Sequence, residues 1–434
     1  MAKFIINGGK KLSGKIFVSP AKNAAMGILC ASVMVRGKIT LHNMPQIQEV
    51  DRMLELFASI GVSHRWQANN ILEIDSSKQL RLANMDEAAA QKVRSSLMLL
   101  GALSTQVKKY KLYKSGGCKL GERTVRPHLY ALNKFGVSVE SKQRYYEVKN
   151  KNITSVPDLV MYESGDTPTE NAIMAAVLAS GKTVIKFASS NYMVQDLCYF
   201  LQAAGAKITG IGTTTLTITG VKKLKSVEYH IMPDPIVAMT WLSLGITTKS
   251  AITVKECPLD FLELELEKLA VMGQKFELKK KRKSASGNFT VVDIVLTPSA
   301  LTALPDKIYG RPFPGLNIDN LPFFIPILTQ AKGRTLVHDW VYENRAIYYL
   351  ELQKLGAKIF LVDPHRVFVE GKTTLCPNEL MCPSAIRPAM AVLIAMIAAK
   401  GESVLRNCYT IERGYEHVVE YLQAVGVDIQ RIES

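Results

Sequence analysis

Cys118 stands in the stretch Ser115-Gly116-Gly117-Cys118-Lys119-Leu120-Gly121-Glu122-Arg123, with a lysine beside it and an arginine five residues on. Cationic neighbours favour thiolate over thiol, and flanking glycines let a loop close its backbone tightly around a small anion. Such a cysteine is either a chemically active thiol or a structural residue beside a turn, and the loop alone does not decide between them. A second cationic turn, Ser19-Pro20-Ala21-Lys22-Asn23-Ala24-Ala25-Met26, delivers Lys22 and Asn23 just ahead of an apolar helix. A lysine at a helix start is electrostatically disfavoured unless an anion sits there. Arginines occupy comparable places: Arg94 before Ser95-Ser96-Leu97-Met98, Arg345 in Tyr342-Glu343-Asn344-Arg345, Arg387 in Ser384-Ala385-Ile386-Arg387-Pro388, and Arg413 in Ile411-Glu412-Arg413-Gly414-Tyr415-Glu416. One such arginine reads as a surface ion pair; several at equivalent places in a repeat read as an anion site.

The elements that must position these groups recur. An amphipathic helix ends in a hydrophobic residue, then Gly, then an alternating strand, and this unit appears six times, with its glycines at 61, 136, 205, 273, 356 and 426. A period of roughly 70 residues suits a compact α/β module better than a solenoid. A second, more apolar helix lies elsewhere in the repeats, as in Asn171-Ala172-Ile173-Met174-Ala175-Ala176-Val177 and Met390-Ala391-Val392-Leu393-Ile394-Ala395, and helices that apolar have to be buried. Six units with helices inside and sheets outside most simply form two lobes of three, with ligands bound in a cleft that closes over them.

Composition narrows the partners. With 434 residues, of which 47% are hydrophobic, the chain has ample material for sizeable cores, and a formal net charge of +16 points to anionic partners. No basic-then-apolar leader and no membrane-length apolar run are visible, and seven irregularly spaced cysteines argue against a disulfide framework, so a cytoplasmic location is expected. The run Lys279-Lys280-Lys281-Arg282-Lys283 reads as a solvated hairpin tip following the strand Gln274–Leu278.

The Ala-Lys-Asn-Ala-Ala turn, the Gly-Gly-Cys loop, Glu-Asn-Arg and Arg-Gly-Tyr-Glu together make the chain resemble the enolpyruvyl transferases from Phe4 to the C-terminus, and within them the branch acting on UDP-N-acetylglucosamine in peptidoglycan synthesis more than the shikimate branch. The resemblance implies a two-lobed inside-out α/β barrel of six units, three per lobe, with residues 1–21 and 230–434 in one lobe and 22–229, carrying the Cys118 loop, in the other. It implies phosphoenolpyruvate and UDP-N-acetylglucosamine as substrates, no metal and no organic cofactor. Cys118 corresponds to the residue that protonates phosphoenolpyruvate C3, and Asp319, in Leu316-Asn317-Ile318-Asp319-Asn320, to the base for the sugar 3-hydroxyl. Lys22, Arg94, Arg123, Arg345, Arg387 and Arg413 fall on cationic positions, Lys22 and Arg413 also catalytic, and Asn23 on a substrate hydrogen-bond donor. RNA cyclases share the repeat architecture, but His417 follows the transferase mark Arg-Gly-Tyr-Glu, so neither nucleic acid nor membrane is expected as a partner.

Departures from the family pattern gather on the sugar-nucleotide side. The usual Arg-Pro-Val-Asp-Leu is Arg123-Thr124-Val125-Arg126-Pro127, Ser-Val-Gly-Ala-Thr becomes Gly165-Asp166-Thr167-Pro168-Thr169, Pro-Asp-Arg-Ile-Glu becomes Pro233-Asp234-Pro235-Ile236-Val237, and Asp-Leu-Arg reads Ala385-Ile386-Arg387. Asp234 and Glu412 are the carboxylates nearest at hand to replace the acid missing at Ala385. Three readings stay open: the same acceptor held by rewired contacts, enolpyruvyl transfer to a different hydroxyl, or, because of Ala385, a non-catalytic binding relative.

Overall fold

The computed structural model describes residues 2–115 and 124–433, which fall into two compact units. One is built from residues 2–19 and 233–433, the other from 20–115 and 124–232. The described residues form six small sheets, three in each unit. Each repeat opens on an inner helix: α1 (Lys22–Ser32), α2 (Leu99–Ala102, entered through the 3₁₀ segment Arg94–Met98) and α3 (Asp166–Val177) in one unit, α4 (Pro235–Thr247), α5 (Leu321–Thr329) and α6 (Ile386–Ala398) in the other. Every residue of α4 and α5 is buried, as an all-round apolar sequence demands. Within each unit the three inner helices pack on one another, and the sheets cover them.

The outer helices are one-sided. Gln48–Ser59 buries Val50, Met53, Leu54, Leu56 and Phe57, the spacing of a single helical stripe, while its charged residues stay outside. The six glycines that follow the outer helical segments all adopt left-handed backbone, with φ between 87° and 104°. At Gly356 the hydrogen bonds show why: the Gly356 N–H donates to Gln353 O at 2.9 Å and the Ala357 N–H to Leu352 O at 3.0 Å, closing the segment Arg345–Leu355 and turning the chain into the strand Lys358–Asp363.

Parallel pairing completes the sheets across long sequence distances. Lys38–His42 pairs with Val227–His230, and Ser13–Phe17 with Ala251–Pro258. Strand Lys3–Gly8 lies between Gly401–Arg406 and Asp428–Ile432, antiparallel to both. The basic run at 279–283 is not a hairpin tip: it belongs to the strand Lys275–Lys283, and the turn falls on 284–289. A bulge between Lys279 and Arg282 carries the ladder through the run, and Arg282 donates to Glu256 at 2.8 Å and reaches Asp293 at 3.4 Å. No helix among the described residues is long and apolar enough to cross a membrane.

Candidate active site

In the unit of residues 20–232, side chains at successive helix starts are joined by hydrogen bonds. Lys22 begins α1 behind Ala21, which offers no side-chain cap, and its Nζ lies 2.9 Å from Glu49 Oε2, half-buried. Asn23 donates from Nδ2 to Tyr192 Oη at 3.1 Å, linking α1 to the start of the outer helix Tyr192–Ala203. Asn191 caps that helix, and its Nδ2 donates to Asp166 Oδ2 at 3.1 Å; Ser189 Oγ donates to Asp166 Oδ1 at 2.5 Å. Asp166 therefore sits at the start of α3 as a fixed acceptor, where its charge matches the helix dipole.

Arg94 starts the third of these segments and stands beside His128, on the outer helix Arg126–Lys134. The Asn171 amide oxygen accepts the Gly101 N–H at 2.7 Å, so its Nδ2 faces His128 Nδ1 at 2.8 Å and the imidazole proton sits on Nε2, 3.4 Å from Thr167 Oγ1. Burial, with the Arg94 charge adding to it, pushes the imidazole down to about 3, so it is neutral. One turn into α3, Glu170 is fully buried, and burial together with Asp166 raises its carboxyl well above the usual range. Gly27 makes room for it: a Cβ there would lie 2.6 Å from Glu170 Oε1.

In the unit of residues 2–19 and 233–433, Asp319 precedes α5 and is held from two sides. Arg345 Nη1 lies 3.1 Å from Asp319 Oδ1, and Tyr342 Oη donates to the same oxygen at 3.3 Å. Arg345 is itself buried, gripping Asp339 through Nε at 2.6 Å and Nη2 at 2.9 Å, with Tyr349 Oη donating to Asp339 at 2.5 Å. Its planar fork is thus spent on two carboxylates, which makes it the support of Asp319. Glu265 fixes the loop from behind by accepting the Asn317 N–H at 3.2 Å and Asn320 Nδ2 at 2.8 Å. Burial raises the Glu265 carboxyl, and these hydrogen bonds oppose the rise.

The starts of α4 and α6 meet at Tyr415. Asp234 caps α4, accepting the Ile236 N–H at 2.7 Å; Tyr415 Oη pairs with Thr240 Oγ1 at 2.8 Å, and the Arg387 guanidinium lies 5.7 Å from the Tyr415 ring. Burial raises the phenol, and Arg387 counters it. Half-buried Arg413 is two residues away; Gly414 between them lets the chain press onto α6, since a Cβ there would meet Ile386 Cδ1 at 2.8 Å. Ala385 caps α6 without a side-chain hydrogen bond. Glu412 is paired with Arg431, and the charge of Asp234 adds to burial in raising the Tyr415 phenol.

Lys22, Asn23 and Arg94 therefore lie at helix starts of their unit; in the other, Asp319 precedes α5, Arg345 and Arg387 open helical segments, and Arg413 closes the short helix Tyr409–Glu412. Cys118 and Arg123 lie outside the described residues. Sequence reasoning missed His128, Asp339 and Glu265. Asp339 carries no periodic mark, being six residues from its partner Arg345, whereas Tyr415 was visible within Arg-Gly-Tyr-Glu. No group of three or more His, Cys, Asp or Glu that could hold a metal ion occurs among the described residues.

Residues 6–422 match the family model described as EPSP synthase (3-phosphoshikimate 1-carboxyvinyltransferase). The chain is 35% identical to the UDP-N-acetylglucosamine 1-carboxyvinyltransferase of Treponema denticola, covering 100% of both chains, and 33% identical to UDP-N-acetylglucosamine 1-carboxyvinyltransferase 2 of Caldanaerobacter subterraneus, again over 100% of both. Among solved structures it resembles the enolpyruvyl transferase NikO from Streptomyces tendae, with a TM-score of 0.86 at 22% identity over 100% of this chain and 99% of that one. EPSP synthase from Acinetobacter baumannii matches with a TM-score of 0.78 at 17% identity, covering both chains fully.

Proposed function

Since the chain belongs to the EPSP synthase family of enolpyruvyl transferases, which take their donor from phosphoenolpyruvate, we propose that it transfers the enolpyruvyl group to the 3-hydroxyl of UDP-N-acetylglucosamine and releases phosphate. The observation that carries this reading is the full-length identity to enzymes of that name, together with a carboxylate, Asp319, held by Arg345 at the start of α5. In the reaction Asp319 takes the proton of the acceptor hydroxyl as its oxygen attacks C2, and Cys118 supplies a proton to C3, giving a tetrahedral ketal. The Cys118 thiolate then takes a C3 proton back, the double bond re-forms as the C–O bond to phosphate breaks, and the proton held by Asp319 leaves with the phosphate. Lys22, Arg94, Arg123, Arg387 and Arg413 balance the phosphate and carboxylate of the donor, and Asn23 hydrogen-bonds the intermediate. Arg345 acts through Asp319, as a positioning residue. In this role the protein is a cytoplasmic enzyme of peptidoglycan precursor synthesis.

A second reading keeps the donor and changes the acceptor. It is favoured by Asp166, a fixed carboxylate at the start of α3 in the stretch that departs from the family pattern, and by the uncapped Ala385. Phosphate release from phosphoenolpyruvate, measured over a panel of hydroxyl acceptors with wild type and Cys118→Ser, separates the two. Turnover with UDP-N-acetylglucosamine that Cys118→Ser abolishes supports the first reading. Turnover only with another acceptor replaces it with the second, and none with any acceptor rejects both.

A further inference from the structure

Asp196 lies in the middle of the outer helix Tyr192–Ala203 and is fully buried, an uncommon place for a carboxyl group. It stands four residues after Tyr192, whose hydroxyl accepts from Asn23 Nδ2 at 3.1 Å, and four before Phe200, whose ring meets that of Tyr229 edge-on at 5.7 Å. Residues spaced by four share a helix face, so the face that touches Asn23 also carries this carboxyl group. Tyr229 Oη donates to Asp196 Oδ1 at 2.6 Å, and the Met232 N–H donates to Asp196 Oδ2 at 3.2 Å. The peptide groups of Met232 carry the bonds onward. Its carbonyl accepts the Ala21 N–H at 2.8 Å, and the Ala21 carbonyl accepts the first bond of α1, from the Ala25 N–H at 2.9 Å. Ala21 has no side chain that could cap α1, so the start of that helix is held through its backbone. Ile231 ties the same segment to the strand Lys38–His42: its N–H donates to His42 O at 3.1 Å, and its carbonyl accepts Asn43 Nδ2 at 2.9 Å.

We propose that Asp196 is a positioning residue for the donor site, a role that rests on the reading of Lys22 and Asn23 as substrate-binding residues: by holding Met232 it holds Ala21, and through Ala21 the angle at which Lys22 and Asn23 leave the start of α1. It touches no substrate itself. Burial pushes its carboxyl up to about 7 against the pull of the Tyr229 and Met232 hydrogen bonds, so near neutral pH its contribution is an acceptor oxygen rather than a fixed charge. A neutral amide of the same shape can do the same work. In Asp196→Asn the amide oxygen accepts the Met232 N–H and the NH2 group donates to Tyr229 Oη, whose own proton turns to the main-chain carbonyl of residue 196, 3.3 Å away. In Asp196→Leu the volume is kept but the Met232 N–H is left buried without an acceptor.

Calorimetric titration of the full chain with phosphoenolpyruvate tests this in wild type, Asp196→Leu, Asp196→Asn and Lys22→Ala, with each variant's thermal midpoint as the check that it is folded. Asp196→Ser, whose hydroxyl is too short to reach Met232, stands in if the leucine variant does not fold. The expected result is an affinity weakened at least about tenfold in Asp196→Leu and kept within about threefold of wild type in Asp196→Asn. A role confined to stability would lower the midpoint of Asp196→Leu and leave its affinity unchanged, which overturns the proposal. An affinity lost equally in Asp196→Asn overturns it as well. If Lys22→Ala binds phosphoenolpyruvate as wild type does, the reading of the donor site fails and takes the proposal with it; if Lys22→Ala loses binding while Asp196→Leu keeps it, the proposal alone fails.

Discussion

The Asp319–Arg345–Asp339 arrangement separates two kinds of carboxylate that sequence alone does not tell apart. Asp339 and Arg345 are both buried, so replacing Asp339 by Ala strands a buried guanidinium and is expected to cost about 3–5 kcal/mol, read from urea unfolding. Asp319 is partly exposed, and Asp319→Ala is expected to leave stability nearly unchanged. That variant keeps phosphoenolpyruvate binding by calorimetry but loses about 10²–10⁴-fold in turnover. Retained turnover would remove it as the base. Asp319 was legible because it lies in a recognisable motif; Asp339 was not, because a buried ion pair between turn residues leaves no pattern in either sequence segment. His128 was hidden for the same reason and gives a pH prediction. Its folded value near 3 lies below the unfolded 6.5, so the unfolded chain binds the extra proton and stability falls as pH drops below about 6.5. Between pH 7 and 5 this one group removes about 2 kcal/mol, and His128→Asn is expected to shrink the measured loss over that interval by the same amount.

At the scale of elements, the repeat was readable because the left-handed turn after each outer helix needs glycine, and that need appears directly in the sequence. The surroundings of those glycines differ, and they set the cost of losing them. A Cβ at Gly205 meets nothing within 4 Å, whereas one at Gly136 lies 2.6 Å from Lys151 O, although both positions have positive φ. Gly205→Ala is expected to cost about 1 kcal/mol from backbone strain alone, and Gly136→Ala distinctly more, as a lower denaturant midpoint shows. The basic run at 279–283 was misread because charge suggests a tip. The strand continues there because Thr290–Thr297 offers a full ladder and because Ser284-Ala285-Ser286-Gly287-Asn288 carries the turn chemistry. Likewise the segment Arg345–Leu355 is 3₁₀ rather than α-helical, a distinction of hydrogen-bond register that hydrophobic spacing does not encode.

At the scale of the molecule, a net charge of +16 draws doubly anionic substrates in, and salt screens that attraction. Raising sodium chloride from about 50 to 300 mM is expected to lower kcat/KM for phosphoenolpyruvate about three- to tenfold with a smaller change in kcat, and an insensitive kcat/KM would exclude electrostatic capture. The sheet that holds Lys3–Gly8 between Gly401–Arg406 and Asp428–Ile432 has a consequence for how the protein is made. Residues 20–115 and 124–232 have all their strand partners among themselves, whereas the strand Lys3–Gly8 acquires its neighbours only once Gly401–Arg406 and Asp428–Ile432 have been made. Until those roughly 400 later residues are made, Lys3–Gly8 is an unpaired β edge, so nascent chains and truncated products are where this protein is most exposed to aggregation.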